Sequence, residues 1–225
     1  VITQPFDVPG GPTIAQIADP EGTLVGLVQQ YGAKRMTVDA GSDWVAWHRE
    51  YDEPDSRLSR RLSVVQAHIR RALEERRGPV RIISMCAGEG RDVLPVLVEH
   101  PLRADIAALL VELNADNAEM ARAAAQRADL SGVEVRCADA SMTDVYEDAV
   151  PADIILVCGI FGNISLGDIK LTVEHLPSLA APGATVIWTR GRWGGEDVTP
   201  DIRRWFSESG FEEVVFDGPA DVTYA

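Results

Sequence analysis

The chain has few cysteines and little positive charge, and each shortage excludes a class of protein. Its three cysteines, Cys86, Cys137 and Cys158, form no C-x-x-C pair and have no neighbouring histidines. Neither a disulfide scaffold nor a zinc module is therefore indicated, and we expect three buried, reduced thiols, as in a cytoplasmic protein. The formal net charge of −14 argues against a nucleic-acid partner, because phosphate binding generally requires a basic surface.

Long apolar runs and an export leader are also missing from the sequence. No stretch approaches the roughly 18 consecutive apolar residues of a membrane span, and no charged-then-apolar segment opens the chain. We therefore expect no membrane partner and no export. The 225 residues, 46% of them hydrophobic, suffice for one substantial core, and a small-molecule substrate fits this composition better than DNA or RNA.

From residue 79 onward, apolar strand-like runs alternate with segments of helical spacing. The predicted strands are Val80–Met85, Ala107–Glu112, Val133–Cys137, Asp153–Cys158, Ala184–Thr189 and Glu212–Phe216. The predicted helices are Asp92–His100, Ala115–Ala128, Gly167–Leu179 and Pro200–Ser209. This alternation predicts an α/β fold with a doubly wound, mostly parallel, Rossmann-like sheet and flanking helices. Such sheets bind ligands at the carboxyl ends of their strands, so the residues that follow each strand are the candidates.

The first of these strand ends carries a glycine loop. Residues 81–92 join a strand to a helix through Gly88 and Gly90, and Glu112 ends the next strand. Backbone N–H groups at such a turn point at a ligand, glycines let it approach, and the acidic residue can hold ribose hydroxyls. The third glycine of a dinucleotide G-x-G-x-x-G is replaced by Val93, which disfavours a pyrophosphate. The loop therefore predicts a nucleoside-cofactor site.

Residues 44–217 resemble the class I S-adenosylmethionine-dependent methyltransferases. The resemblance rests on the glycine loop, on Glu112 lying 22 residues after Gly90, on Asp139 after the third strand, and on the Leu-Ala-Ala-Pro-Gly turn at 179–183. It implies S-adenosyl-L-methionine as the cofactor and methyl transfer to an oxygen or nitrogen nucleophile of a small molecule. Two residues depart from the family pattern, because Ser84 replaces a common acidic residue and Cys86 replaces a usual first glycine.

The resemblance implies roles for residues at four strand ends. Gly88 and Gly90 would pass the methionine and ribose, Glu112 would accept hydrogen bonds from the ribose hydroxyls, and Asp139 would accept one from the adenine amino group. A carboxylate suits these roles because it only accepts hydrogen bonds. The expected cofactor-binding residues are Cys86, Ala87, Gly88, Gly90, Glu112, Leu113, Asp139, Ala140, Cys158, Gly159, Tyr51 and Arg61, the last two reaching the methionine carboxylate.

Structural alternatives stand beside these roles. The glycines are common in any strand-to-helix turn. Glu112 could be a helix N-terminal charge, and Asp139 could be a loop cap, with Asp144 also nearby.

An aromatic segment before the first predicted helix is the candidate substrate cover. Helical spacing places Trp44, Trp47, His48 and Tyr51 on one face, which would suit a flat or apolar ligand. His48 is the candidate catalytic base because histidine titrates near neutral pH. The alternative is a helix that docks onto the domain by its aromatic stripe.

Further substrate candidates follow the fourth and fifth strands. Phe161 could shape the methyl-transfer channel, and Asn163 could orient a substrate hydroxyl or amine, so Trp44, Trp47, Phe161 and Asn163 form the predicted substrate set. Alternatively, Asn163 bonds its own backbone in a capping turn. Arg190, Arg192 and Trp193 could select an acidic or aromatic substrate, or could be solvated loop residues.

The first 42 residues differ from the rest and predict a separate arm. Two strand-like runs flank an Asp-Pro-Glu-Gly turn at 19–22, a pattern typical of a hairpin. Residues 5–30 resemble the closing hairpin of a glyoxalase/bleomycin-resistance-type (vicinal oxygen chelate) domain, in which Gly26 replaces a metal-ligand glutamate, so no metal site is expected. We divide the chain into an arm or remnant hairpin with its linker (1–42), a helical cap (43–78) and a cofactor-binding α/β domain (79–225). The arm could also pair with a second subunit and form a homodimer.

Two other functions remain open at this point. One is an NAD(P)-dependent oxidoreductase, which Val93 and Asp139 disfavour. The other is a non-catalytic subunit that binds S-adenosylmethionine.

Overall fold

The N-terminal unit of the chain contains a small antiparallel sheet. The computed structural model describes residues 6–7, 13–18, 24–29, 53, 56–191 and 197–217, and the chain divides into two units, residues 1–42 and 43–225. In the first unit, β1 (Phe6–Asp7), β2 (Thr13–Ala18) and β3 (Leu24–Gln29) pair in that order. The hairpin of β2 and β3 runs from Ala18 opposite Leu24 to Thr13 opposite Gln29.

The second unit contains a five-stranded parallel sheet. Its strands are β4 (Val80–Met85), β5 (Ile106–Glu112), β6 (Val133–Cys137), β7 (Ala152–Val157) and β8 (Ala180–Trp188). Their order across the sheet is β6-β5-β4-β7-β8, and all neighbours are parallel. The order reverses at β4, which confirms the predicted α/β, doubly wound fold class and places a ligand crevice at the carboxyl ends of the strands.

Helices cover both faces of this sheet. They are α1 (Arg57–Glu74), α2 (Leu94–Glu99), α3 (Ala115–Arg127), α4 (Leu166–Leu179) and α5 (Thr199–Glu208). In β4, Ile82 belongs to the buried cluster that includes α1, α2 and α3, whereas Ile83 belongs to the cluster that includes α4 and α5. Because both of their faces are buried, the central strands β4, β5 and β7 are nearly continuous apolar runs in the sequence.

Polar side chains define where three of the helices begin. Ser56, Asn114 and Ser165 each accept a hydrogen bond from a backbone N–H one turn later, at the start of α1, α3 and α4. Such caps satisfy N–H groups that lack an intrahelical partner. None of the helices in the described ranges is long and apolar enough to cross a membrane.

The predicted sixth strand, Glu212–Phe216, is wrong. Residues 211–217 form an irregular segment without strand pairing, and Val214 is 78% exposed. The Phe216 ring instead lies 6.2 Å from the Trp188 ring, and Phe211 packs edge-on against Phe206. Aromatic packing and the paired hydrogen bonds that Arg203 donates to the Glu213 carboxylate, both 2.6 Å long, therefore hold this segment in place of a strand ladder.

The Pro-Gly turn predicted before the fifth strand lies within β8. Ala180 pairs with Ala152, and Thr185 pairs with Ile154, so β8 advances by five residues while β7 advances by two. The extra residues include Gly183, which has a φ of +75°. The strand thus begins four residues earlier than predicted and contains a bulge.

Candidate functional site

The loop after β4 has an unusual backbone. Cys86, Gly88 and Gly90 have φ angles of +53°, +55° and +75°, in the left-handed region that favours glycine. At Gly90 a Cβ would lie 2.8 Å from Leu94 Cδ1 and 3.0 Å from Leu110 Cδ2. Gly90 is therefore required by backbone conformation and by close packing, whereas Cys86 adopts a conformation that is uncommon for a residue with a side chain.

The carboxylate of Glu112 joins this loop to the end of β5. Glu112 is 9% exposed; its Oε2 accepts the Gly88 N–H at 2.8 Å and its Oε1 accepts the Asn114 N–H at 2.8 Å. A carboxylate oxygen has two lone-pair sites, so each oxygen retains capacity for one further donor. Glu112 thus stabilises the loop and can still accept hydrogen bonds from a ligand.

Asp139 lies two residues after the end of β6, and its charge acts on the same Cys86 thiol as the charge of Glu112. Burial raises the pKa of the Cys86 thiol to about 12, and the negative charges of Glu112 and Asp139 add to this effect. Asp139 is exposed, its Oδ1 accepts the Ser141 N–H at 2.9 Å, and its carbonyl oxygen accepts the Met142 N–H. The loop-cap alternative for Asp139 is therefore present, and the second carboxylate oxygen remains an exposed acceptor.

Tyr146 supports this loop, and the sequence did not identify it. Its side chain is 2% exposed, and its hydroxyl donates to the Ala140 carbonyl oxygen at 2.7 Å. Burial raises the pKa of Tyr146, with smaller contributions from Cys86 and Asp139. Tyr146 ends a single 3-10 turn, Thr143–Tyr146, which is too short for a hydrophobic period to reveal its buried face.

The ends of β7 and β8 are tied together by Thr189, a second residue that the sequence did not identify. Gly159, with a φ of +82°, donates its N–H to Thr189 Oγ1 at 3.1 Å. The Thr189 N–H in turn donates to the Val157 carbonyl oxygen at 3.4 Å. The only signal in the sequence is a polar residue at the carboxyl end of an apolar strand. The loop after β7 is thereby held against the end of β8.

Arg61, on α1, faces the same strand end. Burial raises the pKa of the Cys158 thiol, the negative charge of Asp92 adds to this, and the positive charge of Arg61 acts in the opposite direction. These interactions place both charged side chains near Cys158. The position is compatible with the expected contact between Arg61 and a methionine carboxylate.

The substrate candidates of the β7 loop have structural partners. Phe161 is 0% exposed and its ring centre lies 6.1 Å from that of Trp188, so it belongs to the core instead of a channel wall. Asn163 donates its Nδ2–H to the Gly159 carbonyl oxygen at 2.7 Å, as the capping-turn alternative expects. Trp44, Trp47, His48 and Tyr51 lie outside the described residues, as do Arg192 and Trp193.

The cysteines differ from the expected three buried thiols. All three are free, but only Cys158 is buried, while Cys86 is half-buried and Cys137 is exposed. Cys137 is the last residue of β6, at the carboxyl edge of the sheet. Within residues 56–191 and 197–217 there is no group of three or more His, Cys, Asp or Glu side chains that could hold a metal ion.

Comparisons with known proteins give the family from a family model and the fold from solved structures. A family model described as "Putative methyltransferase" matches residues 56–196, whereas curated protein sequences yield no match. Magnesium protoporphyrin IX methyltransferase from Synechocystis PCC 6803, solved with bound SAM, aligns with a TM-score of 0.59 and 14% identity over 76% of this chain and 82% of that chain. Precorrin-6y C5,15-methyltransferase from Geobacter metallireducens GS-15 aligns with a TM-score of 0.52 and 12% identity over 65% and 71%. At these identities the structural likeness shows the Rossmann-like fold.

Proposed function

Because this chain belongs to the putative methyltransferase family, we propose that it transfers a methyl group from S-adenosylmethionine to an oxygen or nitrogen atom of a small molecule. The observation that carries the proposal is the Glu112 carboxylate. It lies at the carboxyl end of β5, bonded to the glycine loop of β4, with Asp139 close by at the end of β6. The ends of β5 and β6 thus present hydrogen-bond acceptors beside the glycine loop of β4.

The acceptors in this crevice fit the donors of the proposed cofactor. Ribose hydroxyls and an adenine amino group both donate, and the remaining lone pairs of Glu112 and Asp139 accept. A hydrogen bond to an ionised carboxylate is stronger than one between neutral groups. Ser84 is 2% exposed and carries no charge, so the methionine ammonium would need another partner. We assign the methionine carboxylate to Arg61 and Tyr51.

The remaining residues of the predicted set would bind and orient the two substrates. The cofactor supplies an electrophilic methyl group on a sulfonium. The protein has to align the acceptor with that methyl group and remove a proton where the acceptor carries one, and alignment supplies a large part of the rate. The loop after β7, fixed by the Gly159–Thr189 bond, would form one wall. Trp44 and Trp47 would cover the acceptor, and His48 would act as its base.

We propose that the methyl acceptor is a small molecule and that the protein does not bind nucleic acid. The net charge of −14 supports this, since an acidic surface repels polyanions. We further propose that the protein is cytoplasmic and that it forms a homodimer through the arm, residues 1–42.

Isothermal titration calorimetry with S-adenosylmethionine, S-adenosylhomocysteine and NAD tests the cofactor. We expect binding of the first two ligands and none of NAD, and a protein that binds neither sulfur compound would refute the proposal. Incubation with methyl-labelled S-adenosylmethionine and fractionated metabolite pools then tests catalysis. A labelled small-molecule product supports an enzyme, whereas binding without any product would favour a non-catalytic subunit.

A further inference from the structure

Arg190 follows β8 directly and lies beside the loop that follows β7. The bond between Thr189 Oγ1 and the Gly159 N–H, 3.1 Å long, fixes the start of Arg190 against this loop. The Nη1 atom of Arg190 lies 3.5 Å from the position that a Cβ would occupy at Gly162. The guanidinium is therefore at the carboxyl edge of the sheet, next to the loop assigned to the acceptor.

The Nε atom of the Arg190 guanidinium is not satisfied by the described residues around it. Its Nε atom is buried and has no hydrogen-bond partner, and Arg190 makes no ion pair with any residue in 56–191 or 197–217. A buried donor without a partner destabilises the folded protein, and more so when it is charged. The chain contains 35 acidic residues against 21 basic ones, so carboxylates were plentiful, yet none of the described ones pairs with this arginine.

Arg76 shows how a structural arginine differs. Its Nε is also buried without a partner, but its Nη2 donates to the carbonyl oxygens of Asp153 and Gly183 and to Thr185 Oγ1 at 2.8–3.1 Å. Arg76 thus joins α1 to β7 and β8. Arg190 forms no such connection within the described part of the chain.

We propose that Arg190 binds an oxyanion, a carboxylate or a phosphate, of the molecule that receives the methyl group. This inference rests on the proposed function and adds the class of acceptor to it. A guanidinium presents paired N–H donors that match two oxygens of one oxyanion, and Gly162 has no side chain that would cover the Nη1 atom. Glu112 ends β5, three strands away from β8 in the sheet order, so Arg190 lies on the opposite side of the crevice from the ribose acceptor.

The test compares charged and neutral probes on the full chain saturated with S-adenosylhomocysteine. Calorimetry would measure benzoate, phenyl phosphate and benzamide against the wild type, Arg190→Gln, Arg190→Lys and a control, Arg204→Gln. Arg204 is a surface residue of α5 with a side chain 57% exposed. We expect the wild type and the control to bind at least one charged probe tenfold or more tightly than benzamide. Arg190→Gln should abolish this preference, and Arg190→Lys should keep part of it, because lysine retains the charge but loses the paired donors.

Each other outcome has a defined meaning. A wild type without preference for either charged probe, or a preference that survives in Arg190→Gln, would overturn the inference. A drop in S-adenosylhomocysteine affinity in Arg190→Gln would also overturn it, because Arg190 would then hold the cofactor. The relative affinities of benzoate and phenyl phosphate distinguish the two oxyanions. Failure of the wild type to bind S-adenosylhomocysteine would instead reject the proposed function. If Arg190→Gln does not fold, Arg190→Lys is compared with the wild type instead. A preference for the charged probes over benzamide that is as large in Arg190→Lys as in the wild type would then count against the inference.

Discussion

Replacing Glu112 by glutamine tests both the structure of the loop and the role of the carboxylate. The two oxygens of Glu112 accept the Gly88 and Asn114 N–H groups, each at 2.8 Å. Glutamine keeps the shape but exchanges one acceptor oxygen for an NH₂ donor, so one backbone N–H loses its partner. A buried unsatisfied donor costs about 1–3 kcal/mol. We expect Glu112→Gln to lower the free energy of unfolding by about that amount, measured by urea denaturation without ligand.

The same substitution should weaken cofactor binding by a defined amount. A hydrogen bond to a charged group contributes about 1.5–3 kcal/mol, and each 1.4 kcal/mol corresponds to about tenfold in affinity. We therefore expect S-adenosylhomocysteine to bind Glu112→Gln about 10- to 150-fold more weakly than it binds the wild type. Glu119→Gln, on the exposed side of α3 with a side chain 75% exposed, is the matched control and should bind normally.

A ligand without ribose hydroxyls separates the direct contact from a general loss of structure. The wild type should bind the 2′,3′-dideoxy analogue of S-adenosylhomocysteine more weakly than the parent compound, whereas Glu112→Gln should bind both with similar affinity. The reasoning fails if the wild type does not discriminate between the two ligands. It also fails if the substitution weakens both ligands equally, because Glu112 would then act only through the loop.

Two further predictions concern the loop after β4. Gly90→Ala should lower the free energy of unfolding by more than Gly210→Ala. Both glycines have positive φ angles, +75° for Gly90 and +87° for Gly210, but of the two only Gly90 lacks space for a Cβ. Alanine at either position costs about 1–2 kcal/mol in backbone strain, and at Gly90 overpacking adds about 1–3 kcal/mol. Equal losses of unfolding free energy in urea denaturation would contradict this. With iodoacetamide at pH 8, Cys137 should be alkylated well before Cys86. The Cys86 thiol, with a pKa of about 12, stays protonated until the pH approaches that value, and only the thiolate reacts. Mass spectrometry should therefore show that labelling of Cys86 rises with pH. Equal alkylation rates of Cys86 and Cys137 at pH 8 would refute the raised pKa of Cys86.

Much of the parallel sheet was predictable because its central strands, β4, β5 and β7, are buried on both faces. The observed bounds of β4 and β6 equal the predicted ones, and those of β5 differ by one residue. Residues 212–216 have a similar apolar content and still form no strand, since Phe211 and Phe216 bury their rings against neighbouring aromatic residues. The hydrophobic pattern predicted burial in both cases, but at 212–216 the Phe216 ring packs against Trp188 while Val214 is 78% exposed.

The site was less predictable, because its details depend on distances between strands. The spacing of Gly88, Gly90 and Glu112 suggested that they lie at one edge of the sheet, and parallel pairing of β4 with β5 brings them there. The bonds from Gly88 and Asn114 to the carboxylate depend on the packing of that loop, which no sequence period reports. Tyr146 and Thr189 were missed for the same reason, since the side chain of each forms its hydrogen bond with a backbone atom of a loop.

The strand order β6-β5-β4-β7-β8 has a consequence for how this enzyme could change its specificity. The residues assigned to the nucleoside lie on β4, β5 and β6, and those assigned to the acceptor follow β7 and β8. The two sets of residues meet only where β4 lies beside β7. Substitutions in different sets that lie more than about 7–10 Å apart should therefore have additive effects on the free energy of binding. A library confined to the segments after β7 and β8, with Cys158 and Gly159 kept because they are assigned to the cofactor, would therefore explore new acceptors while the methyl donor stays the same.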